Sequence, residues 1–149
     1  MKKILGIVIS VIVILGFFTF YLSNQEGADQ TYLLPSGFEG CVVIYYNVKG
    51  APPLKIDNNE MVYRVPKNGV IETSSPYDTG WASEKSSGPY QTTAYYVDEK
   101  GEIIEKLPQE NLRFGALGSN QGDTPGQEFF YQIFGTKETE DKGCPQVGM

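Results

Sequence analysis

A run of nineteen uncharged residues, from Ile4 to Leu22, constrains this chain more than any other feature of its sequence. A helix of that length rises by about 28 Å, which is close to the hydrocarbon thickness of a bilayer. Lys2 and Lys3 precede the run, and the positive-inside rule keeps such residues in the cytoplasm. Residues 1–22 are therefore predicted to anchor the chain in the cell membrane as a single transmembrane helix, with the C-terminal domain outside.

A cleaved secretory signal is the alternative, and it would release the domain as a secreted protein. Signal peptides have apolar regions of about 7–15 residues and end at a small-x-small cleavage site. Here the apolar run is longer, and cleavage after Ala28 would place Glu26 at the upstream small position. The sequence therefore favours a retained anchor, although both interpretations export the domain.

The charge and the residue content exclude several classes of function. Beyond Lys2 and Lys3 the chain has ten basic and eighteen acidic residues, a net charge of −8. Nucleic acid is not an expected partner, because its binding requires clustered Lys and Arg. The chain contains no histidine, so it cannot form a Ser-His-Asp triad, a Cys-His pair or a His-based zinc site. We expect no catalytic residues, no metal site and no cofactor; a hydrolase that uses carboxylates alone is the remaining catalytic alternative.

The strand pattern begins after a polar linker at residues 23–30. Short β-branched and aromatic segments alternate with turn residues, and the strongest strand pattern covers residues 41–48. Asn68-Gly69 predicts a type I′ hairpin that pairs residues 70–73 with the strand before it. A second hairpin is predicted around residues 98–101.

These strands predict one all-β domain over residues 31–136. The expected fold is a single antiparallel β-sandwich of six or seven strands, immunoglobulin-like or prealbumin-like. Two polar segments, 74–91 and 115–127, are too long for simple hairpin turns and are predicted to be loops. Residues 137–149 are predicted to form a polar tail that is loose unless Cys144 is bridged.

Cys41 and Cys144 are the two cysteines of the chain. In an exported protein they suggest a disulfide, which would close a loop of about 100 residues and tie the tail to the first core strand. The alternative is that Cys41 is a small buried apolar residue and Cys144 a free thiol. The sequence leaves both open.

The 74–91 segment contains the single tryptophan, Trp81, together with Tyr77 and Tyr90. Aromatic residues among Ser, Thr and Gly are typical of recognition loops, so these three are the candidate ligand contacts. The alternative, which we favour, is that Trp81 covers the edge of the fold and the tyrosines fix the ends of the loop. Residues 57–60 (DNNE) are acidic enough to attract Ca²⁺, but Asp and Asn are also typical of turns, and the turn is favoured.

Three segments resemble a known family: YLLPSGFEGCVVIYYNVKGAPP from Tyr32, then VYRVPKNGVIETSSP, then TTAYYVDEKG. The resemblance is to an uncharacterised domain-of-unknown-function family of small exported or membrane-anchored proteins from Gram-positive, spore-forming bacteria. It covers about residues 32–136. It implies an exported bacterial β domain and brings no activity, substrate or catalytic residue.

The expected function is therefore that of a non-enzymatic binding or interaction module at the cell envelope, with the membrane and an envelope or protein component as partners. A structural or assembly factor that acts through its transmembrane helix is the alternative.

Overall fold

The computed structural model describes residues 10–19, 27–77, 81–83, 86–87, 90–120 and 126–147. Residues 10–19 form helix α1, and every one of them is exposed. The rest of the predicted anchor, residues 1–9 and 20–22, lies outside the described residues. Among the described residues, no helix is both long enough and apolar enough to span a bilayer.

The remainder of the described chain is mostly β-structure. The strands are β1 Asp29–Pro35, β2 Gly40–Tyr45, β3 Ile56–Asp57, β4 Glu60–Arg64, β5 Val70–Glu72, β6 Trp81–Ser83, β7 Ser86–Ser87, β8 Thr92–Val97, β9 Ile103–Lys106, β10 Leu112–Asn120 and β11 Gln127–Phe134. Helix α2 (Lys137–Asp141) and two short 3₁₀ turns, Gln109–Asn111 and Pro145–Val147, complete the described elements.

The strands form two principal sheets and one two-stranded ribbon. The first sheet has the order β3-β4-β1-β8-β9, the second has the order β10-β11-β2-β5, and β6 pairs with β7. The prediction of six or seven strands was therefore too low, because the described residues contain nine strands in the two principal sheets alone.

The prediction of purely antiparallel sheets was wrong. β1 pairs in parallel with both β4 and β8, and β2 pairs in parallel with β5. The reason is that the chain crosses between the sheets after β1 and again after β4, so spatial neighbours within a sheet are separated by strands of the other sheet. Alternating burial is the same in parallel and antiparallel strands, so the sequence pattern does not reveal their direction.

One predicted hairpin forms and the other does not. β8 and β9 pair antiparallel across residues 98–101, as predicted. At Asn68-Gly69 only the glycine has a positive φ, of 72°, whereas a type I′ turn requires two such residues. The Gly69 amide instead donates to the Pro66 carbonyl at 2.9 Å, and this turn carries the chain from β4 in one sheet to β5 in the other.

The boundaries of the predicted segments also change. Residues 27–30 of the predicted 23–30 linker are described, and they belong to the folded domain. Ala28 and Gln30 are buried, and β1 begins at Asp29. β10 occupies residues 115–120 of the predicted 115–127 loop, and residues 121–125 lie outside the described part of the chain. Its Gly118 lies directly under the Phe129 ring, where a Cβ atom would overlap the aromatic carbons, so glycine here permits close strand packing rather than a loop.

The two sheets share one hydrophobic core. Tyr32 stacks on Tyr63 with ring centroids 4.8 Å apart and contacts Phe134 at 4.9 Å. The buried members of this core are Tyr32, Leu34, Val42, Ile44, Tyr46, Met61, Tyr63, Val65, Ala94, Leu107 and Phe134. A second cluster lies on the other face of β2 and β11 and includes both cysteines.

Candidate functional site

A polar cavity of about 330 Å³ lies where the parallel strands β1, β4 and β8 begin. Its volume is at the lower end of the range typical of small-molecule sites. It is lined by seven residues, all with hydrogen-bonding side chains: Asp29, Thr31, Asn58, Asn59, Glu60, Gln91 and Thr93.

The register of the parallel strands brings these residues together. Asp29 of β1 is level with Glu60 of β4, and Thr31 of β1 is level with Thr93 of β8. Side chains two residues apart on a strand point to the same face, so Asp29 and Thr31 both face the cavity. Residues far apart in the chain thus form one continuous polar surface.

Thr31 is the most buried of the seven lining residues. Only 7% of its surface is exposed. Its hydroxyl donates to Oε1 of Glu60 and lies 3.1 Å from the hydroxyl of Thr93. One Glu60 oxygen is thus held in place by the protein, and the carboxylate is oriented before any ligand arrives.

Hydrogen bonds that involve backbone groups connect the residues at the mouth of the cavity. Oδ1 of Asp29 accepts from the Gln91 amide at 2.9 Å, and the Asp29 amide donates to the Asn59 carbonyl at 2.9 Å. Asn58 and Asn59 have φ values of 50° and 62°, which fits the central pair of the type I′ turn that joins β3 to β4. Nδ2 of Asn59 donates to the Gly27 carbonyl at 3.2 Å.

The cavity is acidic. It contains two carboxylates, Asp29 and Glu60, and no Lys or Arg lines it. Such a surface favours ligands that donate hydrogen bonds or carry positive charge, and it repels phosphate. The two carboxylates come from level positions on the neighbouring strands β1 and β4. Among the described residues, no group of three or more His, Cys, Asp or Glu side chains is arranged to hold a metal ion.

Comparison with known proteins identifies the family. A family model described as a family of unknown function, DUF6843, matches residues 26–144 of the chain. The chain belongs to the DUF6843 family. The predicted membership of a domain-of-unknown-function family is confirmed, and the matched region extends the predicted 32–136 at both ends. No curated protein matches the chain.

The DUF6843 fold is also similar to a solved structure. A crystal structure of a candidate lipoprotein from Bacillus anthracis matches with a TM-score of 0.58 and 24% sequence identity. The match covers 74% of this chain and 71% of the other. At this identity the likeness shows a common fold.

The three aromatic residues predicted as ligand contacts do not form one exposed group among the described side chains. Tyr77 packs against the core, with its ring 5.2 Å from that of Tyr46 in an edge-to-face contact. Tyr90 is half-buried, which raises the pKa of its hydroxyl, and it directly precedes Gln91 of the cavity. The backbone of Trp81 lies in β6, and its side chain is outside the described part of the structure.

Further tyrosines are buried within the DUF6843 core. Burial raises the pKa of the hydroxyls of Tyr32, Tyr46 and Tyr63 well above the usual value of 10.0. The Tyr63 hydroxyl also donates to the Met61 sulfur at 2.8 Å, and the Tyr32 hydroxyl donates to Oε1 of Gln30 at 3.4 Å. These groups are neutral at physiological pH and serve packing.

Cys41 and Cys144 are joined by a disulfide, with their Cα atoms 5.3 Å apart. Both residues are buried, together with Val43, Tyr131 and Ile133. The bridge holds the 3₁₀ turn at Pro145–Val147 against β2. The end of the predicted tail, of which residues 137–147 are described, is thus attached to the second sheet.

Several cavity residues were missed by sequence reasoning. The sequence shows residues 57–60 only as an isolated acidic turn. Four other lining residues share one sequence signal, which is a pair of polar residues two positions apart at or just before the start of a strand. The pairs are Asp29 with Thr31, and Gln91 with Thr93. That signal is weak, since it gains meaning only when the parallel pairing of the strands is known.

A second cavity of about 300 Å³ lies at the other end of the first sheet, near the end of β1 and the β8–β9 turn. Its lining residues are Pro35, Ser36, Lys67, Val97, Asp98 and Glu99. It combines both signs of charge, and its Asp98 carboxylate serves the β8–β9 turn, where Oδ1 accepts from the amides of Lys100 and Glu102. The acidic cavity is therefore the stronger candidate site.

Proposed function

We propose that this DUF6843 domain is a non-enzymatic binding module on the outer side of the membrane of a Gram-positive, spore-forming bacterium. In this proposal the N-terminal segment is a transmembrane helix that tethers the domain, and the acidic cavity binds a small envelope component rich in hydroxyl or ammonium groups. We also infer that the two sheets face each other as a β-sandwich, because they share one core.

Three observations support the location. The pairing of Cys41 with Cys144 is typical of proteins that fold in an oxidising compartment. The apolar run from Ile4 to Leu22 follows two lysines, as in exported proteins with an N-terminal anchor. The similar fold from Bacillus anthracis is itself described as a candidate lipoprotein, which agrees with an envelope location.

One observation carries the binding role: a pre-ordered acidic pocket, with Thr31 fixing the Glu60 carboxylate, at the point where three parallel strands begin. The carboxylate oxygen of Glu60 that does not bind Thr31 can accept a hydrogen bond from a ligand without rearrangement of the side chain. Groups that are already in the binding position bind more tightly.

The test is isothermal titration calorimetry of the full chain in lipid nanodiscs, with D-glucosamine, D-glucose and inorganic phosphate as probes. The first two are expected to bind and phosphate is not. Glu60→Gln should weaken binding roughly tenfold or more, since a hydrogen bond to a charged group contributes about 1.5–3 kcal/mol. Glu105→Gln, which makes the same change on an exposed strand, is the matched control and should leave binding unchanged.

Absence of binding for both sugars, or equal losses in the two variants, would contradict the proposal. A glucosamine disaccharide incubated with the protein should be recovered intact. Its cleavage, abolished by Glu60→Gln, would establish the carboxylate hydrolase instead.

A second candidate function is favoured by α1. All ten of its described residues are exposed, including Ile12, Phe17 and Phe18, so the helix has apolar surface available for a partner in a membrane. Replacing residues 4–22 with an unrelated apolar helix distinguishes the two candidates. A cavity-based binder retains its ligand after the replacement, whereas an assembly factor that acts through the helix loses its partner.

A further inference from the structure

We propose that two copies of this chain pair through the strands β9 and β10, independently of the ligand-binding role. The starting observation is where large apolar side chains remain exposed. Outside α1, five such residues are described, and four of them lie on these two strands: Ile103 at 61%, Ile104 at 57%, Phe114 at 56% and Leu117 at 51% exposed. These side chains lie on both faces of the two strands, since Ile103 and Ile104 are consecutive and Phe114 contacts Tyr131 whereas Leu117 is level with Phe130. The exposed apolar surface therefore follows the two strands, where a paired strand would cover it.

Both strands lie on the same side of the fold. β9 is the last strand of the first sheet and β10 the first strand of the second. They are joined by residues 107–111, and Leu107 in this connection is buried in the shared core. The end of β9 at Lys106 and the beginning of β10 at Leu112 are six residues apart, so the connection holds these two strand ends within about 22 Å of each other.

β10 is the longest of the four edge strands and has the lowest proportion of charged residues. Natural proteins limit edge pairing with short strands, charges and proline. The opposite edges are β3, with two residues, and β5, with three. β10 has nine residues, no proline and a single charged side chain, Arg113. A long, nearly uncharged edge is suited to pairing with another strand.

The charges of the β9 segment favour a second copy in antiparallel orientation. Glu102 lies just before this strand and Lys106 at its end, with Ile104 midway between them. Antiparallel pairing of two β9 strands centred on Ile104 brings Glu102 of each copy opposite Lys106 of the other. It also places the two copies of Ile104 side by side. Parallel apposition would instead bring like charges together. Opposite charges across two strands stabilise pairing and like charges destabilise it.

A two-fold axis at this edge also suits β10. Antiparallel pairing of β10 with its copy keeps the two Arg113 side chains at opposite ends of the new ladder. The central residues of the strand, Gly115 to Gly118, are small or apolar and bring no like charges together. Both sheets would then continue across the dimer, which is an isologous arrangement.

The test is sedimentation velocity of the full chain in density-matched detergent over a concentration series. The wild-type protein is expected to dimerise. Lys106→Glu should weaken dimerisation at least tenfold, and the charge swap Glu102→Lys with Lys106→Glu should restore it. Lys49→Glu makes the same charge change on an exposed turn away from this edge and is expected to leave the dimer intact.

Leu117→Lys provides a second disruption that is independent of the ion pairs, and circular dichroism checks that each variant is folded. The swap separates this interface from association through α1, because helix-driven dimers would be insensitive to residues 102 and 106. A wild-type monomer at all concentrations, a dimer unaffected by both disruptive variants, or a charge swap that fails to restore the dimer would each overturn the proposal.

Discussion

The disulfide between Cys41 and Cys144 is expected to provide a large share of the stability of this domain. It joins residues 103 positions apart, and a closed loop of that length stabilises by about 4.7 kcal/mol through the entropy of the unfolded chain. Domains of this size are typically stable by only about 5–15 kcal/mol. The double variant Cys41→Ala, Cys144→Ala should therefore lose about 4 kcal/mol or more in its free energy of unfolding.

The measurement is urea unfolding of the full chain followed by far-UV circular dichroism. The slope with urea should rise in the double variant, since the unfolded chain without a bridge exposes more surface. Trypsin should also cleave at Lys137 and Lys142 sooner, because the bridge attaches this end of the chain to β2.

A matched control separates the loop constraint from the other contacts of the tail. Thr139→Ala keeps the bridge and removes the hydrogen bond from Thr139 to Oε2 of Glu39, 3.1 Å long, so it should cost only about 1 kcal/mol. A double cysteine variant within 1 kcal/mol of the wild type would refute the reasoning, and so would equal losses in the double variant and the control.

Two further predictions concern the core and one turn. Burial raises the pKa of Tyr32, Tyr46 and Tyr63, so above about pH 10 the unfolded chain releases protons that the folded chain keeps. These groups should leave the free energy of unfolding unchanged below pH 10 and lower it above pH 10, by up to about 1.4 kcal/mol per pH unit for each tyrosine. Tyr63→Phe should reduce that dependence on pH by the contribution of one tyrosine. If absorbance at 295 nm showed all ten tyrosines titrating before the protein unfolds, the prediction would be contradicted. Gly69→Ala should lower the free energy of unfolding, measured in urea, by about 2 kcal/mol or more. Gly69 has a φ of 72°, and a Cβ atom at this position would lie 2.5 Å from the Cys41 carbonyl oxygen. A decrease of less than about 0.5 kcal/mol would show that the turn adjusts to the new side chain.

Local features of the fold could be predicted from the sequence. Most residues of β2 and β11 are β-branched or aromatic, and β2 lacks alternation with polar residues, from which burial on both of its faces follows. The hairpin at residues 98–101 was predictable because its two strands are adjacent in the chain and Gly101 supplies the positive φ of 82° that the turn requires. β10 was missed because its glycines suggest a loop, although Gly118 serves close packing under Phe129.

The candidate site was largely hidden from the sequence. Asp29, Glu60 and Thr93 are each about thirty residues from the next, and only the parallel register of β1, β4 and β8 makes them neighbours. Tyr77 packs against Tyr46 in the core, in agreement with the favoured interpretation that it fixes one end of the loop, but the sequence did not show which residue it would contact. Local composition does not report which distant segment covers a side chain.

The sequence by itself determined the mostly β character of the chain, the absence of histidine and the positions of the strongest strands, while export stays a prediction. Each of these depends on residue type or on contacts between neighbours in the chain. The tertiary structure decided the strand directions, the pairing of Cys41 with Cys144, the acidic cavity and the exposed edges β9 and β10. These depend on which distant segments meet, and forming such contacts costs chain entropy that is offset only when the whole core is buried.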